Sequence, residues 1–313
     1  MVLNDSEYNQ NVVQILGHTI LVPKTWNDMT LKQQIVCNDV LMSLNDATFV
    51  QKRIALMQFL TGLSDEFFIS WKKMYDDAEL WAERFRKLTE FVTDFLFEQK
   101  QTADEREQFG IAATLTKCPY PSVILAKKRK GKDPKPIKLW AASDGLENIS
   151  FAEMAEVFTC FDRYTAGGNE AHIHRAFAVV FRPSKPNDAA NKQRAFDGDQ
   201  RTGLEEADEV IAQRAKLWQD VQPPIKRLLW FWLVSCREQI IRKNPQVFKS
   251  GNADALMRRL AVYSWAGVAI ELSKGDVLAR KAIEVSNYRD IFITLSYLET
   301  KSEVTEAIMK KKN

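Results

Sequence analysis

The stretch SDEFFISWKKMYDDAELWAERFRKLTEFVTDFLF, residues 64–97, decides the fold. Phe67, Trp71, Met74, Ala78, Trp81, Phe85, Leu88, Val92 and Phe95 follow one another at alternating spacings of four and three. That period lines one side of an α-helix. It predicts one long amphipathic helix over 65–98, burying an aromatic stripe that includes Trp71, Trp81, Phe85 and Phe95. A coiled-coil seam is the alternative, but rings this bulky suit an irregular globular core better than regular knobs-into-holes packing.

Toward the N-terminus the helical reading continues. Thr30 followed by Gln33 is a capping box, the threonine as N-cap and the glutamine reaching back to its amide. A helix over 31–44 follows, and a second over 47–62 ends near Gly62. Farther out, NVVQILGHTILV, residues 11–22, reads as two short β segments around a Gly17-His18 turn.

Toward the C-terminus the texture changes at CPYPSVILAKKRKGKDPKPIKLWAAS, residues 118–143. Prolines at both ends, a β-prone VILA, a basic tip and IKLWAA predict a β-hairpin between helical parts. The two hairpins are expected to pair into one small sheet, because a lone two-stranded hairpin is marginal in water. Ser150 with Glu153 forms another capping box, and its helix buries Phe151, Met154, Phe158 and Phe161 before stopping at Gly167-Gly168. The next helix, about 168–181, ends before Pro183. An acidic run, EEADE at 205–209, suits the start of a helix that breaks at Pro223-Pro224. RLLWFWLVSCREQIIRK, residues 227–243, is apolar nearly all round and reads as a central core helix. Helices over 253–273 and 277–299 complete the chain. The expected fold is mainly α: a multi-helix, bundle-like body with a small antiparallel β-hairpin element. Its organisation is β segments over 1–24, helices over 25–117, a hairpin arm over 118–145 and helices over 146–313.

Composition narrows the function classes. Hydrophobic residues make up 45% and charged residues 27% of 313, with eight Trp to build a large core. The net charge of +3 gives the whole chain no pull on polyanions. Cys37, Cys118, Cys160 and Cys236 are far apart and form no CxxC pair, so they read as reduced, buried thiols. MVLNDSEYNQ has neither the basic nor the apolar part of a signal peptide, and the longest apolar run, LLWFWLVSC, is too short for a membrane span. No membrane partner is expected.

Motifs for chemistry are sparse. His172 and His174 lie two residues apart, which on a helix turns them about 200° from each other. Glu170 shares a side with His174, yet two ligands make no metal site. DGDQRTGLEEAD, residues 197–208, lacks the turn glycine and the final glutamate of a calcium loop. P-loop, GxGxxG, HExxH and GxSxG patterns are missing from the sequence. A non-enzymatic protein needing no cofactor is therefore expected. The one functional signal is KKRKGKDPKPIK, residues 127–138, with Lys127, Lys128, Arg129, Lys130, Lys132, Lys135 and Lys138 against a single Asp. Such a tip can hold phosphates, dock on an acidic protein surface, or stay hydrated. It lacks the interleaved aromatics of single-strand binders.

Three segments carry a resemblance: VPKTWNDMTLKQQ; IKLWAASDGLENISFAEMAEVFTCFDRYTAGGNEAHIHRAFAVVFRP; and LLWFWLVSCREQIIRKNPQVF. Their order resembles a protein family of phages and prophages of the Bacteroidetes, of virion or tail-assembly type. The resemblance implies a structural or assembly role in the virion or host cytoplasm, through contacts with other virion or assembly proteins and with itself. It brings no site residues. Nucleic-acid contact through the basic tip is the alternative.

Overall fold

The structure is a computed structural model that describes residues 2–5, 10–43, 48–97, 111–129, 132–184, 201–202, 204, 208–248 and 264–312. It is mainly α, as the sequence predicts. The chain divides into two compact units: Met1–Pro119 with Gln222–Ser235, and Tyr120–Val221 with Cys236–Asn313.

The first unit opens on strands β1 (Val2–Asp5), β2 (Gln10–Ile15) and β3 (His18–Pro23), joined antiparallel in that order. The hairpin over 11–22 is thus present, extended by a first strand, Val2–Asp5. Helices α1 (Leu31–Ser43), α2 (Phe49–Thr61), α3 (Asp65–Lys72) and α4 (Ala78–Thr93) follow. The Thr30 box forms as predicted: Thr30 N donates to Gln33 Oε1 at 2.9 Å, and Gln33 N donates to Thr30 Oγ1 at 3.3 Å. Gly62 ends α2 in the left-handed conformation, φ 68°, which a side chain would resist.

The single helix expected over 65–98 is two helices. Asp77 is the reason: its Oδ1 accepts from Glu79 N at 2.8 Å and Leu80 N at 3.2 Å, starting a new helix inside an unbroken hydrophobic period. The stripe is broken accordingly. Trp71 is buried, Met74 is 65% exposed, and Trp81, Phe85 and Phe95 are only half-buried. The core of this unit gathers Val13, Val22, Trp26, Cys37, Leu56, Met57, Trp71, Leu88 and Val92. Leu228, Leu229, Phe231 and Trp232 complete it from the first part of α8 (Pro223–Lys243). Trp26 meets Phe231 at 4.7 Å between ring centroids, and Trp232 Nε1 donates to Thr116 O at 3.1 Å.

The second unit begins with strands β4 (Ser122–Arg129) and β5 (Lys132–Trp140), a sheet of their own. The expected merger of the two hairpins into one sheet does not occur: each belongs to a different unit. The described basic residues of the tip belong to the strands themselves. Lys127, Lys128 and Arg129 lie within β4, and Lys132, Lys135 and Lys138 within β5.

Helices α5 (Phe151–Gly167), α6 (Glu170–Val180) and α7 (Asp208–Lys216) follow, then α8 from Cys236 onward, α9 (Ser264–Leu272), α10 (Val277–Val285) and α11 (Tyr288–Lys312). The α5 capping box forms, and Gly168 closes that helix. α7 stops at Lys216, short of the expected break, and Pro223 instead occupies the first turn of α8, where no amide is missed. Residues 253–263 of the expected helix over 253–273 lie outside the described residues. The helix expected over 277–299 divides at Ser286-Asn287. There Ser286 O accepts from Phe151 N at 2.8 Å, and Asn287 Oδ1 accepts from Arg289 N at 2.9 Å, so the break seats α11 on the start of α5.

All four cysteines are buried. Burial pushes the Cys37 thiol up to about 12. Cys160 also stands at about 12, through burial first and the charge of Glu156 second. Among the described residues, no helix is long and apolar enough to cross a membrane.

Candidate functional site: the basic hairpin

The hairpin is built by side-chain alternation. Leu125 and Leu139 face inward and are buried, whereas Ile124 on the opposite face is 69% exposed. Ala126, Pro136 and Lys138 share that outer face and are exposed too. Lys138 Nζ lies 4.1 Å from the centroid of the Trp140 ring, a cation–π contact on the hairpin's surface.

Hydrogen-bond direction distinguishes the two edges. Trp140 N donates to Arg182 O at 2.7 Å, and Arg182 N donates to Trp140 O at 3.0 Å, both on the side of β5 away from β4. Ala141 N, one residue on, donates to Pro121 O at 3.0 Å toward the β4 side. By the two-residue period of a strand, Trp140, Lys138 and Pro136 therefore aim their backbone groups outward. Leu139 and Ile137 bond inward, to Val123 and Leu125. Pro136 is tolerated inside a strand for this reason: the amide it lacks is one the β4 ladder never uses. It also blunts the outer edge of β5.

β4 is the mirror case. Ser122, Ile124 and Ala126 pair with Trp140, Lys138 and Pro136, so their own N–H and C=O groups face away from β5. Among the described residues, no strand pairs with this outer edge. The register pairs Lys127 with Lys135 and Arg129 with Lys132. Lys130 lies outside the described residues.

Two further charged groups were not anticipated. Glu153, the capping glutamate of α5, is 3% exposed; it pairs with Arg182 and lies 3.4 Å from Arg201. Arg201 Nη1 also donates to Val180 O at 3.0 Å, and Arg214 Nη1 to Ala178 O at 2.8 Å. These arginines tie residues 201 and 214 to the end of α6. One signal for them was present: an arginine closing the apolar run AFAVVF must find a buried partner. The second group lines a cleft of about 450 Å³ with Ser150, Glu156, Arg175, Asp208, Arg280 and Glu284. Burial works against the charge of Arg175. Its hydrogen bonds to Glu156 and Asp208 outweigh that and hold the guanidinium above its ordinary pKa. Arg280 Nε lies 3.4 Å from Glu284. Because carboxylates already neutralise these guanidinium groups, an anion entering the cleft would have to displace one.

His174 is buried, with Nε2 3.9 Å from Glu170 Oε2, and His172 is half-buried. Among the described residues, no three His, Cys, Asp or Glu side chains gather where a metal ion could be held. No family model, curated protein or solved structure matches the chain.

Proposed function

We propose that the chain is a non-enzymatic structural or assembly protein of a phage particle, acting through protein–protein contacts made by the β4–β5 hairpin. One observation carries the reading: the hairpin has one edge closed by Pro136 and the Arg182 bridge, and one edge along Ser122–Ala126, beside an exposed Ile124, that no strand among the described residues covers. An unprotected edge next to an exposed apolar side chain is a template for another chain's strand. The phage setting rests on the resemblance carried by residues 22–34, 137–183 and 228–248.

Self-association is part of the proposal. α11 carries an apolar stripe of Ile293, Tyr297, Val304 and Ile308, which are 68%, 63%, 52% and 51% exposed. The acidic Glu299, Glu303 and Glu306 and the basic Lys301, Lys310, Lys311 and Lys312 nearly balance on the same helix. A second copy, with little net charge to repel, suits it better than a strongly charged partner.

Nucleic-acid contact is the second reading, favoured by the seven Lys or Arg among residues 127–138. The deciding experiment is quantitative mass spectrometry of purified particles and assembly intermediates from the phage or prophage encoding the chain. A fixed stoichiometry in either supports the proposal. Absence from both overturns it.

A further inference from the structure

We infer that the outer edge of β4, at Ser122, Ile124 and Ala126, accepts an extended acidic segment of another protein as an added strand. This rests on the reading that the hairpin docks on protein, and it names the partner's chemistry.

Three features converge on that occupant. The first is the row of outward backbone groups at Ser122, Ile124 and Ala126, set by the Trp140–Arg182 and Ala141–Pro121 hydrogen bonds. Only another extended backbone presents N–H and C=O groups at the matching spacing. The second is Ile124, 69% exposed in the middle of that row. It calls for an apolar residue at the facing position of the incoming strand.

The third is charge. Residues 127–138 hold seven Lys or Arg and one Asp, an excess of six, twice the +3 of the whole chain. The rest of the molecule is therefore net negative, and the positive charge is concentrated in the hairpin that carries this edge. Carboxylates flanking the added strand would complement that excess.

A nucleic acid would satisfy the charge but not the backbone row or Ile124. Lysines can also guard an edge against strand pairing. Here, however, the charges begin at Lys127, and the five residues Ser122–Ala126 carry none.

The test is fluorescence anisotropy with the full chain and a fluorescein-labelled peptide of alternating Val and Glu, about ten residues long, near the upper end of strand lengths. Controls are the Val-Lys counterpart and an oligothymidine of equal charge. The Val-Glu peptide is expected to bind and to weaken as salt rises from about 50 to about 200 mM, the range over which phosphate contacts also lose affinity. The Val-Lys peptide is expected not to bind.

Ala126→Pro removes one outward amide and no ladder bond, mirroring Pro136 across the pair, and is expected to weaken binding at least tenfold. Should Ala126→Pro fail to fold, the quadruple variant Lys127→Ser, Lys128→Ser, Arg129→Ser, Lys130→Ser serves instead. It is expected to lose the salt dependence and most of the affinity.

No binding of the Val-Glu peptide overturns the inference. So does oligothymidine binding of equal strength that Ala126→Pro leaves unchanged, which assigns the charge to phosphates. Dimerisation abolished by Ala126→Pro, without peptide binding, would give the edge to a second copy and overturn it too. The particle measurement separates the two levels. A chain found in particles whose edge ignores the peptide keeps the proposed role and loses this partner.

Discussion

Replacing Glu153 by Gln tests how the second unit is held together. The glutamate is 3% exposed, and the arginines it faces, Arg182 and Arg201, are each 1% exposed. It also completes the α5 cap, where Ser150 N donates to Oε2 at 2.9 Å. Glutamine keeps the cap, because Glu and Gln serve equally at that position. What it removes is the negative charge, and it turns an amide donor toward groups that only donate. Deleting one member of a buried ion pair typically costs about 3–5 kcal/mol, most of it the penalty on the charge left behind. Glu153→Gln is expected to fall in that range, a sizeable part of a typical domain stability of about 5–15 kcal/mol. Glu153→Ala should cost about 1 kcal/mol more, for the lost cap. Neutralising both sides in Glu153→Gln, Arg182→Met should recover part of the loss, the non-additivity expected of residues in contact. Urea denaturation followed by far-ultraviolet circular dichroism measures all three. A loss below about 1 kcal/mol for Glu153→Gln would refute the reasoning, since a charge that matters so little is not what balances the two arginines.

Other expectations concern the core, the thiols and α11. Trp71→Ala should destabilise by about 3–5 kcal/mol, as for a fully buried ring, and the half-buried Trp81→Ala by clearly less; equal losses in thermal melts would contradict the packing. Cys37 and Cys160 are raised from 9.0 to about 12. The unfolded chain ionises these thiols first, so their contribution is intact below pH 9 and is lost as pH rises toward 12. A thiol reagent at pH 8 should leave the native protein unlabelled and label it in denaturant; fast native labelling would count against burial. For α11, sedimentation should give concentration-dependent self-association that Val304→Glu removes without lowering the melting temperature. A wild-type chain that stays monomeric at every concentration would rule out the stripe as an interface.

Local chemistry was the most legible part of the sequence. Thr30 with Gln33, Ser150 with Glu153, and the glycines at 62 and 168 act over three or four residues, so a linear reading finds them. The error at 65–98 has the same origin turned round. Hydrophobic period extends across Asp77 without a break, whereas the first helix closes in a turn at Met74 and Tyr75 and the second starts at the cap that Asp77 makes on Glu79 and Leu80. Tertiary pairing was out of reach. Glu153, Arg182 and Arg201 meet only after α5 and α6 fold against each other; Arg182 at the end of AFAVVF signals that a buried partner is needed, but nothing in the spacing says which. The basic cluster was visible as charge. Its open edge was not, because which backbone groups face outward depends on the register of Ser122 with Trp140 and on the bond from Trp140 to Arg182.

That edge is the centre of the account, and residue-resolved amide hydrogen exchange by NMR tests it most directly. In the isolated chain, the amides of Val123, Leu125, Ile137 and Leu139 should exchange slowly, while those of Ile124 and Ala126 exchange at least tenfold faster, as expected for groups left outside the ladder. Adding the Val-Glu peptide should slow Ile124 and Ala126 and leave the other four unchanged. Uniform protection of all six amides before any partner is added would mean the edge is already covered, and the claim that it docks another chain would fall.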